Sequence, residues 1–240
     1  MNLTSSATQH TQRSTKMNRA VTKLSSVNKK PGPTPPPALP GFSHINRYWD
    51  KTTSKHVAKI LPGEYYVTAH DEFITTVLGS CISACIRDPI FGIGGMNHFM
   101  LPINKTGDPR AWGANVVSSA TRYGNFAMEH LINGILTNGG QRKNLEVKVF
   151  GGGRIIGNMT DVGMNNIDFV RDYIDAEALK LVAEDLGDIY PRKVMYDPKT
   201  GKVKMKKLRS MHNDTIISRE TSYLKEIDTT EPNTGEIDLF

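Results

Sequence analysis

The chain has 240 residues, 38% of them apolar, and a formal net charge of +6. That is enough for one sizeable domain with tails, and slightly too polar for a chain folded throughout. No apolar run is long enough to span a membrane, and the N-terminus lacks the basic-then-apolar layout of a secretory signal, so a cytoplasmic location is expected.

The positive charge is local. Of the 30 basic residues, Arg13, Lys16, Arg19, Lys23, Lys29, Lys30 and Arg47 precede Asp50 with no acid among them, which leaves 23 bases against 24 acids for the rest. A nucleic-acid-binding domain carries its basic patch on the folded body, so the pattern reads as a solvated basic tail. Residues 1–28 are rich in Ser, Thr, Asn and Gln and read as disordered. The prolines from Pro31 to Pro40 read as an extended spacer. We therefore expect a basic, Pro-rich tail over 1–47, a folded domain over 48–208, and an acidic, flexible tail over 209–240.

Within the domain, Glu64–Ala69 reads as a strand and Ile74–Val77 as the lead into Leu78-Gly79-Ser80-Cys81. Ser80–Ile86 is rich in small and β-branched residues and favours a strand, with a short helix capped by Ser80 as the competing reading. Residues 115–137 read as a helix whose stripe is Met128, Leu131, Ile132, Ile135 and Leu136, stopped by Asn138-Gly139-Gly140. Leu145–Phe150 alternates as a strand and runs into Gly151-Gly152-Gly153. A second helix is expected over 165–179, then a short strand at Leu181–Ala183, then a hairpin over 193–208 turning at Asp197–Gly201. Strands interleaved with two helices, plus hairpins, predict one mixed α/β domain with a partly antiparallel sheet, not a doubly wound nucleotide-binding fold.

The chemistry-bearing pair is Cys81 and His98, the latter in Gly94-Gly95-Met96-Asn97-His98-Phe99-Met100. A hairpin centred near Pro89-Ile90 sets the two equidistant from its turn, with Cβ atoms about 5 Å apart across the strands. A bulge at Gly92, Gly94 or Gly95 shifts that register. A buried cysteine is ordinarily a small core residue. Against that stand the matching histidine and Gly79-Ser80, which leave amide groups free to face a developing oxyanion. Cys85 has neither feature and reads as core. A Cys81–Cys85 disulfide is excluded on a strand, where their Cα atoms lie roughly 13 Å apart. The other histidines show no ligand spacing with the cysteines, which speaks against a zinc site. The two glycine clusters lack what a dinucleotide or P-loop cradle requires, and close backbone packing beside a site is the better reading.

Five blocks carry a resemblance to a known family: Thr75-Thr76-Val77-Leu78-Gly79-Ser80-Cys81, Gly92–Pro102, Arg122–Glu129, Lys148–Gly152 and Ala183-Glu184-Asp185-Leu186-Gly187. In order and spacing they resemble CheD, the chemoreceptor glutamine deamidases of bacterial chemotaxis. The resemblance implies a mixed β-sandwich flanked by helices, similar to the catalytic domain of the cytotoxic necrotizing factor toxins. It places Cys81 and His98 on the family's catalytic positions and Thr75 on its third active-site position, with backbone amides at Ser80 and Cys81 as oxyanion donors. Thr75 acts on the imidazole through its hydroxyl or its carbonyl. The implied substrate is a glutamine on the cytoplasmic helical bundle of a chemoreceptor, converted to glutamate with loss of ammonia and with no metal or organic cofactor. Receptor methyl esters are a candidate second substrate, because attack on an ester would use the same machinery. The alternative reading is a regulatory binding module acting on receptors or on a CheC-type phosphatase.

Overall fold

The computed structural model describes residues 32–102, 119–155, 162–209 and 214–229. Among the described residues, ten strands form two five-stranded sheets. The first holds β1 (Asn46–Asp50), β2 (Lys55–Lys59), β4 (Glu72–Leu78), β9 (Arg192–Tyr196) and β10 (Val203–Lys207), in that order. The second runs β3 (Tyr65–Thr68), β6 (Ile93–Asn97), β5 (Ile82–Asp88), β7 (Glu146–Gly151) and β8 (Lys180–Leu186). Each sheet is antiparallel except for one pair, β2 with β4 and β7 with β8. Helices α1 (Ser119–Thr137) and α2 (Val162–Ala176) pack on the second sheet, and a third helix, α3, spans Asp214–Thr229.

The expected mixed α/β domain is therefore present. One core joins the layers: Ile74, Leu78 and Val194 from the first sheet meet Ile82, Ala84, Ile86, Met96 and Val149 from the second, with Leu131, Ile135 and Val170 from the helices. Strand β5 is buried along nearly its whole length, as a strand covered on both faces must be. The strand reading of the Cys85 segment holds, and the helix alternative does not. The stop after α1 also holds: Gly139 adopts φ +105, and Gly140 N–H reaches back to the Ile135 carbonyl.

Three expectations change. The β5–β6 turn is centred one residue later than predicted, because Asp88 Oδ1 accepts from Ile90 and Phe91 N–H, and Gly92 closes the loop at φ +68. Cys85 consequently pairs with Met96, and an isolated bridge joins Ile82 to Phe99. His98 is thus diagonal to Cys81 instead of opposite it. A shift of two residues keeps the same face, so the pair still meets.

Second, the Pro-rich segment from Pro33 is fastened to the domain. The carbonyls of Pro33, Pro36 and Pro37 bond to His56, Arg47 and His70, and Phe42 and Ile45 are buried. Third, residues 214–229, read as acidic tail, form α3, with Ile216, Glu220, Tyr223 and Leu224 buried. Their spacing of four, seven and eight from Ile216 is one helical face. The disorder expected for residues 1–28, the start of the first helix at 115–118 and the tail after 229 lie outside the described residues.

A buried carboxylate ties the two sheets together. Glu72 of β4 accepts from Tyr66 Oη at 2.7 Å and Thr68 Oγ1 at 2.6 Å, both on β3, and pairs with Arg47 of β1 at 2.9 Å. Glu72→Ala should cost about 3 kcal/mol or more, since it strands a buried guanidinium and two hydroxyls. Urea unfolding of the two proteins measures this, and a loss well under 1 kcal/mol would show that the staple contributes little.

Candidate active site

Leu78-Gly79-Ser80-Cys81 is where the chain leaves the first sheet at the end of β4 and enters the second at β5. The carbonyls of Gly79, Ser80 and Cys81 in this crossing are all held by hydrogen bonds. Gly79 O accepts from Gly153 N–H at 2.7 Å, Cys81 O from Gly152 N–H at 2.8 Å, and Ser80 O from Asn166 Nδ2 at 2.9 Å. Asn166 is fully buried on α2 and is itself fixed by the Leu101 amide, whose N–H donates to Asn166 Oδ1 at 2.8 Å.

This grip requires glycine. A Cβ on Gly151 would lie 2.0 Å from Cys81 O, and one on Gly153 would lie 2.8 Å from Gly79 O; Gly151 also sits at φ +121. The glycine run is thus backbone packing beside the site, as its sequence suggested.

The amides of Gly79, Ser80 and Cys81 converge on one carboxylate, those of Ser80 and Cys81 facing away from the held carbonyls of their own peptide units. Glu220 of α3 accepts from Gly79 N–H and Ser80 N–H at 2.7 Å each, from Ser80 Oγ at 2.7 Å, and from Cys81 N–H at a longer 3.5 Å. Gly79 leaves room for this, since a Cβ there would stand 2.7 Å from Glu220 Oε2 and 2.1 Å from Ile155. The arrangement is an anion cradle made of successive backbone amides.

His98 follows β6 and is pinned through its backbone, its N–H donating to Glu64 O at 2.9 Å and its carbonyl accepting from Gly63 at 2.8 Å. Its Nδ1 lies 2.7 Å from Thr76 Oγ1, which is also 2.8 Å from Ile60 O. A hydroxyl has one proton. Donated to the Ile60 carbonyl, it leaves Thr76 Oγ1 able only to accept from the ring, so the proton sits on Nδ1 and Nε2 carries the lone pair. Nε2 is buried without a hydrogen-bond partner among the described residues.

Cys81 Sγ, a ring nitrogen of His98 and a carboxylate oxygen of Glu220 lie within 4.8 Å of one another. Cys81 and His98 are 0% and 1% exposed. Burial, and the Glu220 carboxylate beside it, push the thiol well above its ordinary range. Burial, reinforced by the Arg219 guanidinium, holds the imidazole down to about 3. Both groups are therefore neutral. The same trio is the one cluster among the described residues with three candidate metal-ligand atoms, but both carboxylate oxygens are already engaged by N–H and O–H donors, which marks anion recognition.

The sequence-derived residues fall out as follows. Cys81, His98 and the Ser80–Cys81 amides come together. Thr75 stands apart: its hydroxyl donates to Val194 O at 2.8 Å and its carbonyl accepts from Ile60 N–H at 3.0 Å. Neighbouring strand residues face opposite ways, so only one of Thr75 and Thr76 can reach the ring, and it is Thr76. Thr76 and Glu220 were not anticipated. Glu220 had a signal in the sequence, an acid set inside the apolar stripe of Ile216, Tyr223 and Leu224.

A thiol, a base with its lone pair free and a cradle of amides are the parts of a site for attack on an acyl carbon. The comparisons agree with that class. A profile described as CheD chemotactic sensory transduction matches residues 100–207. A protein of Halorhodospira halophila named "Probable chemoreceptor glutamine deamidase CheD" is 56% identical over 209 residues, covering 87% of this chain and 96% of its own. One of Hahella chejuensis with the same name is 53% identical over 217 residues, covering 90% of this chain and all of its own. A third, from Methylobacillus flagellatus, is 54% identical over 197 residues, or 81% and 95% of the two chains. The chain belongs to the CheD family.

The neutral state of His98 has a consequence for stability. Its folded value lies below the 6.5 of the free side chain, so between about pH 6.5 and 3 the unfolded chain takes up a proton that the folded chain refuses. This contribution to stability is full above pH 6.5 and is lost as the pH falls. His98→Asn should therefore lose less stability than the wild type between pH 7 and 5 in denaturant titrations; identical losses would mean that the folded imidazole titrates normally.

Proposed function

We propose that this protein is a glutamine deamidase acting on chemoreceptors, in which Cys81 is the nucleophile and His98 the general base and acid. The observation that carries the reading is the backbone amide cradle set directly against the Cys81 thiol and the His98 ring. The names of the relatives supply the substrate class.

The thiol proton passes to His98 Nε2 as Cys81 Sγ bonds to the carboxamide carbon. The amide N–H groups of the 79–81 crossing hold the oxyanion. Collapse breaks the carbon–nitrogen bond, and the His98 proton leaves with ammonia. Water then gives one proton to His98 and attacks the thioester, the thiol is regenerated, and a glutamate carboxylate remains. No step draws on a cofactor. Thr76 keeps the ring in the required tautomer and remains the acceptor for Nδ1–H when Nε2 takes up the thiol proton and the imidazole is charged.

A receptor's cytoplasmic helical bundle as substrate puts the enzyme in the cytoplasm, and among the described residues no helix is long and apolar enough to cross a membrane. A CheC-type phosphatase is a second partner implied by the family resemblance, and capture of such a phosphatase by Cys81→Ala protein tests it apart from catalysis.

Incubated with a receptor cytoplasmic fragment, the wild type should add about 1 Da per converted glutamine, and Cys81→Ala or His98→Ala should add none. Equal conversion by Cys81→Ala would sink the mechanism. Thr76→Val should lower kcat at least tenfold by releasing the tautomer, an estimate on the scale of general acid–base effects. Thr75→Val, which forfeits only the bond to Val194, should lower Tm with a smaller effect on kcat. The reverse ranking would move the orienting role to Thr75.

A further inference from the structure

The Cys81–His98 site is closed by a part of the same chain, and the closing group is a glutamate side chain presented by a helix. We propose that α3 is an intramolecular product mimic, and that the groove beneath it is the docking groove for a substrate helix carrying glutamine at the place of Glu220. The words product and substrate here rest on the deamidase reading; the occupation of the site by α3 does not.

Four observations support this. A glutamate on a helix is what a helical substrate becomes once its glutamine has been deamidated. Glu220 fills the cradle with the γ-carboxylate such a product would have, taking up the amides of Gly79 and Ser80 and the Ser80 hydroxyl.

Second, the residues around Glu220 are seated as an anchor. Ile216, Tyr223 and Leu224, at minus four, plus three and plus four, are buried with it. Tyr223 lies against Gly63, where an added Cβ would meet its ring at 3.1 Å, and its hydroxyl bonds to that of Tyr123 on α1. The same face would take a helix with apolar residues at those offsets from its glutamine.

Third, with α3 in place neither Cys81 nor His98 is open to a macromolecule. Fourth, the occupant disarms the pair it covers. Burial raises the thiol and lowers the imidazole, and the Glu220 carboxylate and the Arg219 guanidinium push each further in the same direction, so the resting state is a protonated thiol beside an uncharged ring. A neutral carboxamide in the cradle removes that negative charge. An arriving substrate helix thus competes with α3 for one groove and lifts the electrostatic block by taking it.

Alkylation of Cys81 by iodoacetamide, followed peptide by peptide, reads the occupation without any enzymatic turnover, with buried Cys85 as the internal reference. In full-length Glu220→Ala, and separately in Leu224→Ala, which loosens the anchor and leaves the carboxylate, Cys81 should react at least tenfold faster than in the wild type while Cys85 does not change. Receptor-fragment deamidation by both variants should rise by a similar factor. Cys81 alkylation at the wild-type rate in both variants, or rising only in step with Cys85, overturns the proposal. Faster alkylation with no glutamine converted in any fragment would keep α3 over the site and bring down the deamidase reading instead.

Glu220→Gln supplies the complementary test. It places a carboxamide in the cradle, and the chain should convert it to glutamate, gaining about 1 Da at residue 220, unless Cys81→Ala is also present. Persistent glutamine at 220 in a protein that deamidates receptor fragments would refute product mimicry and leave the activity standing.

Discussion

The site depends on the orientation of three peptide units. Gly79, Ser80 and Cys81 carry the chain from one sheet to the other, and a peptide turned the opposite way would set a carbonyl, not an N–H, against the Glu220 carboxylate. The carbonyls are fixed by partners from two distant segments, the Gly152–Gly153 amides after β7 and the Asn166 carboxamide on α2. The N–H groups of Ser80 and Cys81, which share peptide planes with the Gly79 and Ser80 carbonyls, gain their direction as a consequence. Each buried backbone group must find a partner, so the second sheet and α2 orient the cradle before any ligand arrives. Packing between sheet and helix is in this sense part of the chemistry.

The histidine is organised by the same economy of donors. Thr76 has a single proton to give, and the Ile60 carbonyl takes it, which settles the ring proton on Nδ1 and the lone pair on Nε2. Ile60 in turn belongs to the ladder beside β4, where its N–H bonds to Thr75 O. Thiol and base therefore come from the second sheet, and the group that sets the tautomer from the first. The core between the sheets holds them in register, and the Glu72 cluster ties the same two sheets together at the β1–β3 end.

Much of this was legible in the chain. Strand periodicity around Cys85, the Asn-Gly-Gly stop and the Asp197–Gly201 turn are local signals, and the elements they predict are present. The meeting of Cys81 with His98 survived a wrong register because the error was two residues, which preserves the face; the missing fact was that Asp88 caps the turn and pushes its centre past Ile90. The choice between Thr75 and Thr76 was not legible. Strand parity counted back from Cys81 is broken at the Gly79–Ser80 bend, so only the three-dimensional crossing shows which threonine meets the ring. Helix α3 was hidden by its net acidity. Read by periodicity instead of composition, Ile216, Glu220, Tyr223 and Leu224 form a stripe with a carboxylate at its centre, and a charge in a buried stripe needs a donor set to receive it.

A carboxylate buried to 1% exposure is tolerated only where several strong donors replace its water, and the 79–81 crossing is built of donors that face nothing else. An empty cradle has the converse difficulty, since exposed in a dry pocket its amides would lack partners. The structure meets both demands with one contact. The same reasoning separates the thiol from its own activation. Burial alone disfavours the Cys81 thiolate, and ionisation beside the Glu220 carboxylate would also put two like charges in a buried space, so the proton stays on sulfur. A neutral group in the cradle would impose no such repulsion between like charges. The cradle therefore holds a negative charge in the resting chain, and the same donors would suit any group at that place on which negative charge develops.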